Sequence, residues 1–473
     1  MIRLIPSLEQ SPRLVAGCKR PAGQWALLTV FALLLTLFSS QWPAIAAFLA
    51  LTTAFPRHRR RVVSVCGIVL ALALPGWLDL PFLGRLAAQE GLAHLPEFLI
   101  RLVIAAVFLL LAGLAALAFR FPRRLVARRP VMAAVLSFCA LLAAVSMAPL
   151  TGWGRVAAWT AVLAIGRMLW FFCYTLTDRD SRDRDSVPLQ AGLWRPAWMA
   201  STSSGTPIAK GAAYLRRIEA HSADELAVTQ IKGLKLLIWA LLLKVVYVWF
   251  GYVTYRKLGI PEFAAAFGSS VAGHPFRWYW NCLSLVAAFL SSLLEMSIWG
   301  HQIVACARMA GFRALRNTYR PLASRTLAEF WNRFYYYFKE LLVDMFFYPT
   351  YLRYFKKHPR LRMATATMMA ACAGNAIFHF LRDVSFIGEL GWWRAIGGFQ
   401  TYLFYTFVLG AGISISQLRA KRKDDQPHCW LRRHLVPVLC VSGFYCFLHI
   451  FDDTGRTYGL HEHFVFVGRL FGF

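Results

Sequence analysis

The sequence has few charged residues for its length, and acidic residues are the scarcer kind. Only 16% of the 473 residues are charged, with 23 Asp and Glu against 52 Lys and Arg, while 58% are hydrophobic. About a quarter of a soluble globular chain is charged, so this composition excludes a water-soluble multidomain enzyme. The hydrophobic content is too high for a disordered chain. A polytopic membrane protein with short loops remains.

The chain also lacks the cysteine spacings of disulfide frameworks and zinc sites. It has ten cysteines, most of them in apolar stretches, and no CxxC pair. They are expected to be small buried hydrophobic residues. The net charge of +29 is concentrated between apolar runs, which is typical of cytoplasmic membrane loops and not of a nucleic-acid surface. Membrane lipids are the expected anionic partner, with a phosphate-bearing donor as a second; nucleic acid is not expected.

Long uncharged runs recur along the chain, as in a multi-pass membrane protein. The usual length rule gives about ten or eleven membrane segments, some short or re-entrant, so the predicted fold class is all-α. The first run, 25–55, is predicted to be a hairpin of two short helices because both of its flanks are basic. The other runs are 62–78, 102–119, 131–154, 156–177, 234–255, 279–307, 363–381, 395–418 and 435–451, with an aromatic, partly embedded segment at 330–354.

The basic loops predict the orientation in the membrane. The loops expected in the cytoplasm are 57–61, 120–129, 178–232, 308–333, 356–362 and 419–433. We predict one membrane domain, with N-terminal helices over 1–177, a cytoplasmic polar loop over 178–232 and a membrane core over 233–473. An alternative for the start is a signal peptide cleaved near Ala46, although cleavage would leave a stub too short to span.

Polar residues inside apolar runs are the candidates for chemistry, because they are costly in a membrane. Asn375, His379 and Asp383 are spaced i, i+4, i+8 and share one helix face. A histidine there can act as a general base, since its ordinary pKa lies near neutrality, and a carboxylate one turn on can fix its tautomer. The alternative is structural, with His379 bonded to a neighbouring helix and Asp383 paired with Arg382.

Two further places carry charge in or beside an apolar run. Glu295 lies within a span and is either functional or a structural partner of Lys244 or Arg167. The stretch 308–333 carries spaced arginines, which either hold the phosphates of a nucleotide-like donor or only follow the positive-inside rule.

The C-terminal region is dense in potential metal ligands. The residues concerned are His449, Asp452, Asp453, His461, Glu462 and His463. Their spacing matches no firm metal template. We therefore predict polar contacts near the outer mouth of an active site, and no metal.

Several blocks occur in an order that resembles a known family. Gly-Thr-Pro-Ile-Ala-Lys at 205–210 follows the long polar loop, and Gln-Ile-Lys-Gly-Leu-Lys-Leu-Leu at 230–237 opens a span. Glu-Phe-Trp-Asn-Arg at 329–333 is the most specific block, and His379 follows in an apolar helix. Over roughly 195–420 the chain resembles the membrane-bound O-acyltransferase (MBOAT) family. The nearest branch is the bacterial one that includes the alginate O-acetylase and the D-alanine transfer protein of teichoic acids.

The resemblance implies an integral-membrane O-acyltransferase whose catalytic part is 233–473. Such an enzyme moves an acyl group, here expected to be acetyl, from acetyl-CoA or a carrier-protein thioester to a hydroxyl of a carbohydrate or lipid in the bacterial inner membrane. It uses the thioester as co-substrate and holds no bound cofactor. The family's catalytic histidine maps onto His379 as general base. The other expected catalytic residues are Tyr335, Asn332, Asn375 and Asp383; the expected substrate contacts are Glu295, Arg325, Trp331 and Arg333.

The chain departs from the family pattern around this histidine. Phe378 and Phe380 replace a tryptophan and a glycine, Tyr335 replaces a second histidine, and Glu295 stands for an aspartate. These changes favour an alternative function, a catalytically inactive scaffold or a glycan or lipid translocation protein. A proton-coupled transporter using Glu295, His301 and His379 is a third hypothesis, but the repeat symmetry it needs is not visible. Without a serine or cysteine constellation, direct transfer is favoured over an acyl-enzyme.

Overall fold

The computed structural model describes residues 6–121, 129–178, 185–208, 210–419, 431–452 and 455–473. Helices make up most of these ranges, and no strand occurs within them, so the all-α prediction is confirmed for this part of the chain. A helix satisfies every backbone hydrogen bond within the segment, as an apolar surrounding requires. Asp453, Ala209 and parts of the predicted loops 120–129, 178–232 and 419–433 lie outside the described residues.

Mostly short connections join the α-helices. The first eight are α1 (Pro12–Lys19), α2 (Pro21–Leu35), α3 (Trp42–Ala54), α4 (Arg59–Ala73), α5 (Leu80–Gln89), α6 (Glu97–Arg120), α7 (Pro130–Met147) and α8 (Gly152–Thr177). The next eight are α9 (Val187–Ala191), α10 (Ala212–Ile218), α11 (Ala223–Gly251), α12 (Phe263–Val271), α13 (Trp278–Met309), α14 (Leu327–Phe334), α15 (Tyr336–Leu342) and α16 (Tyr348–Arg353). The last seven described are α17 (Pro359–Met368), α18 (Asn375–Arg382), α19 (Ser385–Leu390), α20 (Trp392–Gly397), α21 (Gln400–Leu418), α22 (Val436–Leu448) and α23 (Leu460–Leu470).

Short 3-10 and π-helical turns connect or extend these helices. The 3-10 turns are Leu8–Gln10, Pro56–His58, Pro75–Trp77, Ala197–Met199, Pro321–Ala323 and His449–Phe451. The π-helical turns are Tyr252–Lys257, Val343–Phe347, Met369–Gly374 and Leu431–Leu435. π-helical turns inside longer helices are frequent at functional sites.

Seven helices in the described part of the chain are long and apolar enough to cross a membrane. They are Glu97–Arg120, Pro130–Met147, Gly152–Thr177, Ala223–Lys257, Trp278–Met309, Pro359–Arg382 and Trp392–Leu418. Three apolar helices are shorter, and two of them, α2 and α3, are the pair predicted within 25–55. The multi-pass prediction is therefore supported by seven full-length helices; the ten or eleven segments expected included short and re-entrant ones as well. The aromatic segment 330–354 is divided among α14, α15 and α16.

The chain divides into two compact units. The first consists of Met1–Trp239, His301–Leu315 and Leu381–Gly391, and the second of Ala240–Gly300, Arg316–Phe380 and Trp392–Phe473. The predicted division at 178 and 233 stays a prediction.

The first unit is organised around α8, which is the most buried of its long helices. α6 and α7 both pack against it. Elsewhere in this unit α4 and α9 approach so closely that their backbones touch at Gly67 and Gly192. The hydroxyl of Ser64 donates to the carbonyl of Leu189 at the same crossing. Only glycine permits this approach, because it has no side chain.

The second unit has an aromatic and aliphatic core. One cluster joins Phe289, Leu293, Phe330, Leu409 and Tyr445, whose ring stacks on that of Phe330 at 3.8 Å between centroids. Such stacking adds about 0.5–1.5 kcal/mol beyond the burial of area. The cluster fixes α13, α14, α21 and α22 around the segment that carries His379.

Candidate active site

His379 lies on α18, one turn after the π-helical turn Met369–Gly374. Helix α21 packs closely against this turn at Gly410. A Cβ atom at Gly410 would lie 3.0 Å from Sδ of Met368 and 3.1 Å from Cβ of Cys372. The glycine therefore brings α21 near enough for its aromatic side chains to reach the histidine.

Aromatic rings surround the imidazole of His379. The ring of Tyr402, from α21, stacks on it with centroids 4.6 Å apart and an angle of 28° between the planes. Phe338 meets it edge-on at 6.1 Å, and its chain neighbour Phe378 does so at 5.7 Å. Tyr402 is fully buried. The half-buried histidine thus lies among three aromatic rings, which keep water from those sides of it.

Tyr402 connects the histidine to a carboxylate. Its hydroxyl donates a hydrogen bond of 3.0 Å to Oδ1 of Asp452. Its ring also stacks on Phe399, at 5.6 Å and 20°, and the guanidinium of Arg456 lies 4.9 Å from the centre of the Phe399 ring. We name the arrangement of His379, Tyr402 and Asp452 the histidine stack. It joins a potential base to an acidic group through an aromatic ring.

Phe338 brings two further candidate residues to the same place. Its ring lies 6.2 Å from that of Trp331 and 5.4 Å from that of Tyr335. Tyr335 also meets Trp299 edge-on at 5.9 Å. Tyr335 therefore shares a packing partner, Phe338, with His379.

Helix α14, which carries the Glu-Phe-Trp-Asn-Arg block, begins at a well-formed cap. The hydroxyl of Thr326 accepts from the backbone N–H of Glu329, at 3.1 Å, and the Glu329 carboxylate accepts from the backbone N–H of Arg325, at 2.7 Å. This arrangement resembles a capping box, except that the carboxylate binds the N–H of the residue before the N-cap. Glu329 also pairs with Arg333 at 2.6 Å. Asn332 is exposed on this helix, and the Arg325 side chain is exposed just before it.

Asn375 lies one turn before His379 on the same face of α18. Its side chain is almost completely buried, and its Oδ1 accepts no hydrogen bond from the described residues. A buried unsatisfied carbonyl costs about 1–3 kcal/mol. A donor group on a bound substrate would remove that penalty.

Asp383 is held by its neighbour in the chain. Arg382 donates to both carboxylate oxygens, from Nε at 2.7 Å and from Nη2 at 2.9 Å. The carboxylate of Asp383 also attracts the guanidinium of Arg167 electrostatically, as does that of Asp79, while Arg382 repels it. This geometry follows the structural alternative for Asp383, and its role in orienting His379 stays a prediction.

Glu295 lies near the middle of α13 with its side chain exposed. Its charge acts on Tyr247, a residue of α11 in the same unit. His301, two turns further along α13, is buried. A substrate contact by Glu295 stays a prediction.

The arginines of 308–333 fall into two groups. Arg308 donates to the carbonyl of Ala314 at 2.9 Å, and Arg313 pairs with a carboxylate, so both are engaged within the first unit. In the second unit Arg316 and Arg320 lie over the exposed ring of Tyr319, at 5.7 and 5.5 Å from its centre. The predicted phosphate-binding surface is therefore best represented by these two arginines and the tyrosine between them.

The C-terminal histidines do not gather around a metal site. In the described part of the chain, no group of three or more His, Cys, Asp and Glu is close enough to hold a metal ion. His463 is buried, and its Nδ1 lies 2.7 Å from the carbonyl of Gly459. Its ring packs 4.7 Å from that of Phe267. Asp453 lies outside the described residues.

The sequence reasoning missed two members of this site. Tyr402 and Phe338 lie in apolar and aromatic runs that carry no polar pattern, so nothing distinguished them from core residues. Asp452 was noted only as part of the C-terminal polar group. Grouped aromatic residues one helical turn apart, as at Phe399 and Tyr402, were the only available signal.

No protein-family model matches the chain, and no curated protein matches it.

Proposed function

We propose that the protein is a multi-pass membrane O-acyltransferase of the MBOAT type in the bacterial cell membrane. It moves an acyl group, most simply acetyl, from a thioester such as acetyl-CoA to a hydroxyl of a carbohydrate or lipid. The observation that carries this proposal is the histidine stack, a ring base among aromatic rings and coupled to a carboxylate. The apolar helices support the membrane location.

The proposed reaction is direct transfer with His379 as general base. The imidazole takes the proton of the acceptor hydroxyl while its oxygen attacks the thioester carbonyl. The tetrahedral intermediate then collapses, the C–S bond breaks, and the imidazolium returns the proton to the leaving thiolate. An ester and a free thiol result, and the enzyme is unchanged. The rings of Phe338 and Phe378 exclude the water that would hydrolyse the thioester.

Tyr402 supports the charged form of the base. A cation within about 6 Å of an aromatic face is stabilised by the ring, and the His379 ring centre lies 4.6 Å from that of Tyr402. Hydrogen bonding to Asp452 adds electron density to the phenol ring. Tyr335 and the Asn375 amide are the proposed donors to the oxyanion; Asn332 is the more exposed candidate.

The thioester's phosphates are proposed to bind at the Tyr319 surface. Arg316 and Arg320 flank this exposed ring, and arginines beside an aromatic face suit the phosphates and adenine of coenzyme A. A carrier-protein donor is accommodated by the same charges, through its phosphopantetheine phosphate. Arg325, Arg333, Trp331 and Glu295 remain the proposed substrate contacts around this region and the transfer site.

Replacing Tyr402 by phenylalanine tests the coupling to the carboxylate. The Tyr402→Phe variant keeps the stacked ring and loses the hydrogen bond to Asp452. We expect kcat to fall about tenfold, because the imidazolium loses part of its stabilisation. Tyr348→Phe, which changes an exposed tyrosine, is the matched control and is expected to be unaffected. If the Tyr402→Phe variant has the wild-type kcat, Asp452 plays no part in the mechanism.

Two substitutions at Tyr335 test the oxyanion donor. Tyr335→Phe removes the hydroxyl while keeping the packing against Phe338, and we expect about a 10²-fold loss of kcat. Tyr335→His restores the family's residue and is expected to retain more activity than Tyr335→Phe. Steady-state kinetics gives kcat for both variants. A wild-type kcat in Tyr335→Phe would show that the hydroxyl is not the oxyanion donor.

The second candidate function is a non-catalytic scaffold or a glycan or lipid translocation protein. It is favoured by Tyr335 at the place of the second histidine and by the two phenylalanines beside His379. Under this hypothesis the histidine stack is a packing feature, and its loss lowers stability instead of a reaction rate.

An isotope-transfer experiment tests the proposed function. Purified protein is incubated with acetyl-labelled acetyl-CoA in two separate reactions. One reaction contains a glycan fraction of membranes as acceptor, and the other contains a lipid fraction. We expect label in one fraction, released by mild base as an ester requires. Longer acyl-CoAs and a carrier-protein thioester are run in parallel to identify the donor. Label in neither fraction, with any of these donors, contradicts the proposal.

A further inference from the structure

An apolar cavity of about 440 Å³ lies between α6, α7 and α8 in the first unit. Leu114, Leu117, Phe138 and Phe172 are among the side chains that line it, and the hydroxyl of Ser137 is the one polar group on its described walls. The volume is within the ~300–1,000 Å³ range of small-molecule sites. The composition suits a hydrocarbon and excludes a polar ligand.

The cavity runs along the helices for about the depth of one lipid leaflet. Its lining on α6 extends from Leu110 to Phe121, and a helix rises about 16 Å over that distance. Half of a bilayer's hydrocarbon core is about 15 Å. One lipid acyl chain laid along the helices therefore matches the cavity in length.

One end of the cavity is marked by positive charge. Phe121 lines this end, and the guanidinium of Arg120 lies 5.9 Å from the centre of its ring. Arg129 directly precedes α7, whose Ala133 lines the same end. No carboxylate of the described residues pairs with either arginine. Asp178, at the end of α8, accepts from the backbone N–H of Ala213 at 3.0 Å.

The helix α7 needs additional packing at this place. Phe138 and Leu142 are its only buried residues, so most of its surface gains nothing from the rest of the protein. Several lining side chains of α6, among them Leu110, Leu114 and Leu117, are also exposed. A hydrocarbon chain in the cavity would supply the missing contacts between α7 and its two neighbours.

We propose that this cavity holds one acyl chain of an anionic diacyl phospholipid, whose phosphate and headgroup are bound by Arg120 and Arg129. The apolar length selects a lipid chain. Because Arg120 and Arg129 pair with no carboxylate of the described residues, they select a negative headgroup over a zwitterionic one. The site rests on the membrane location proposed above and is independent of acyl transfer. The bound lipid is a structural component that holds α7 in place.

Photolabelling of the wild-type protein locates the chain. The probe is phosphatidylglycerol with a diazirine in its acyl chain, added to purified protein in detergent and activated by light. Mass spectrometry is expected to find adducts within 110–121, 133–141 and 165–176, and excess unlabelled phosphatidylglycerol should remove them. Adducts confined to outward-facing positions such as Leu109 would overturn the proposal.

Charge variants test the headgroup. We expect phosphatidylglycerol to raise the Tm at concentrations about tenfold or more below those at which phosphatidylcholine does so. The double variant Arg120→Gln, Arg129→Gln should lose this selectivity. Arg101→Gln, at the other end of α6 and paired there with Glu97 at 3.0 Å, is the matched control and should keep it. Equal stabilisation of the wild type by the two lipids, or undiminished selectivity in the double variant, overturns the proposal. Neither readout depends on catalysis, so these outcomes are separate from those of the acyl-transfer experiments.

Discussion

His379→Ala is expected to lower the rate of acyl transfer by about 10²–10⁴-fold, the usual contribution of a general base. Alanine removes the imidazole that takes the acceptor's proton in the proposed mechanism. The loss should appear in kcat, because the base acts in the transition state and not in substrate binding. Initial rates with saturating thioester, measured at equal concentrations of folded protein, give the ratio.

His94→Ala is the matched control for this experiment. His94 is an exposed histidine between α5 and α6, so its removal replaces a histidine by alanine as His379→Ala does without touching the histidine stack. The control should keep wild-type activity. The structural alternative predicts a different pattern for His379→Ala: the yield and Tm fall, and the remaining function scales with the amount of folded protein. That pattern would exclude His379 as the base.

Gly192→Ala is expected to destabilise the first unit by at least about 3 kcal/mol, at or beyond the usual range for overpacking. A Cβ atom there would overlap backbone atoms of Ser64 on α4. Backbone atoms cannot rotate away as a side chain can, so α4 and α9 must separate. The backbone of Gly192 has φ −63°, so alanine is disfavoured by space and not by conformation.

Gly113→Ala is the control for this prediction. Gly113 lies within α6, and no atom is within 4 Å of the position its Cβ would take. Alanine in a helix is favoured over glycine by roughly 0.5–1 kcal/mol, so this variant should be as stable as the wild type or more so. Thermal unfolding in one detergent compares the two. A Gly192→Ala protein with wild-type Tm would show that α4 and α9 do not touch as described.

Helix type and many helix positions were readable from the sequence. Uncharged runs bounded by basic residues predicted the short pair α2 and α3 and the long α6, α7 and α8. The positions of Asn375 and His379 on one helical face also follow from their spacing. These predictions succeed because they depend on local hydrophobicity and on the helical repeat.

The remaining features depend on contacts between residues far apart in the chain. The stacking of His379 on Tyr402, and the bond from Tyr402 to Asp452, join three separate segments. No local period encodes such a meeting. The π-helical turn before His379 and the division of 330–354 into short helices were likewise missed, since the packing of neighbouring helices decides where a helix widens or ends.

Two of the residues that depart from the MBOAT pattern proposed for this chain pack together through Phe338. Phe378 beside the histidine packs against Phe338 at 4.6 Å, and Phe338 in turn contacts Tyr335. Phe380 packs instead on Phe399 at 5.8 Å, and Glu295 is exposed on α13. Two of the four substituted positions, Phe378 and Tyr335, therefore form one packed group with Phe338. Under the proposed mechanism, this group keeps water from the thioester while Tyr335 supplies the hydrogen bond that the second histidine provides in the family.

The most direct test of the central claim is the release of free thiol from acetyl-CoA by the purified wild-type protein. The measurement is made with and without a membrane-glycan extract as acceptor. The proposed function predicts thiol release that the extract accelerates and that matches the amount of ester formed. A well-folded protein that releases no thiol above the buffer rate, from acetyl-CoA, longer acyl-CoAs or a carrier-protein thioester, would contradict it.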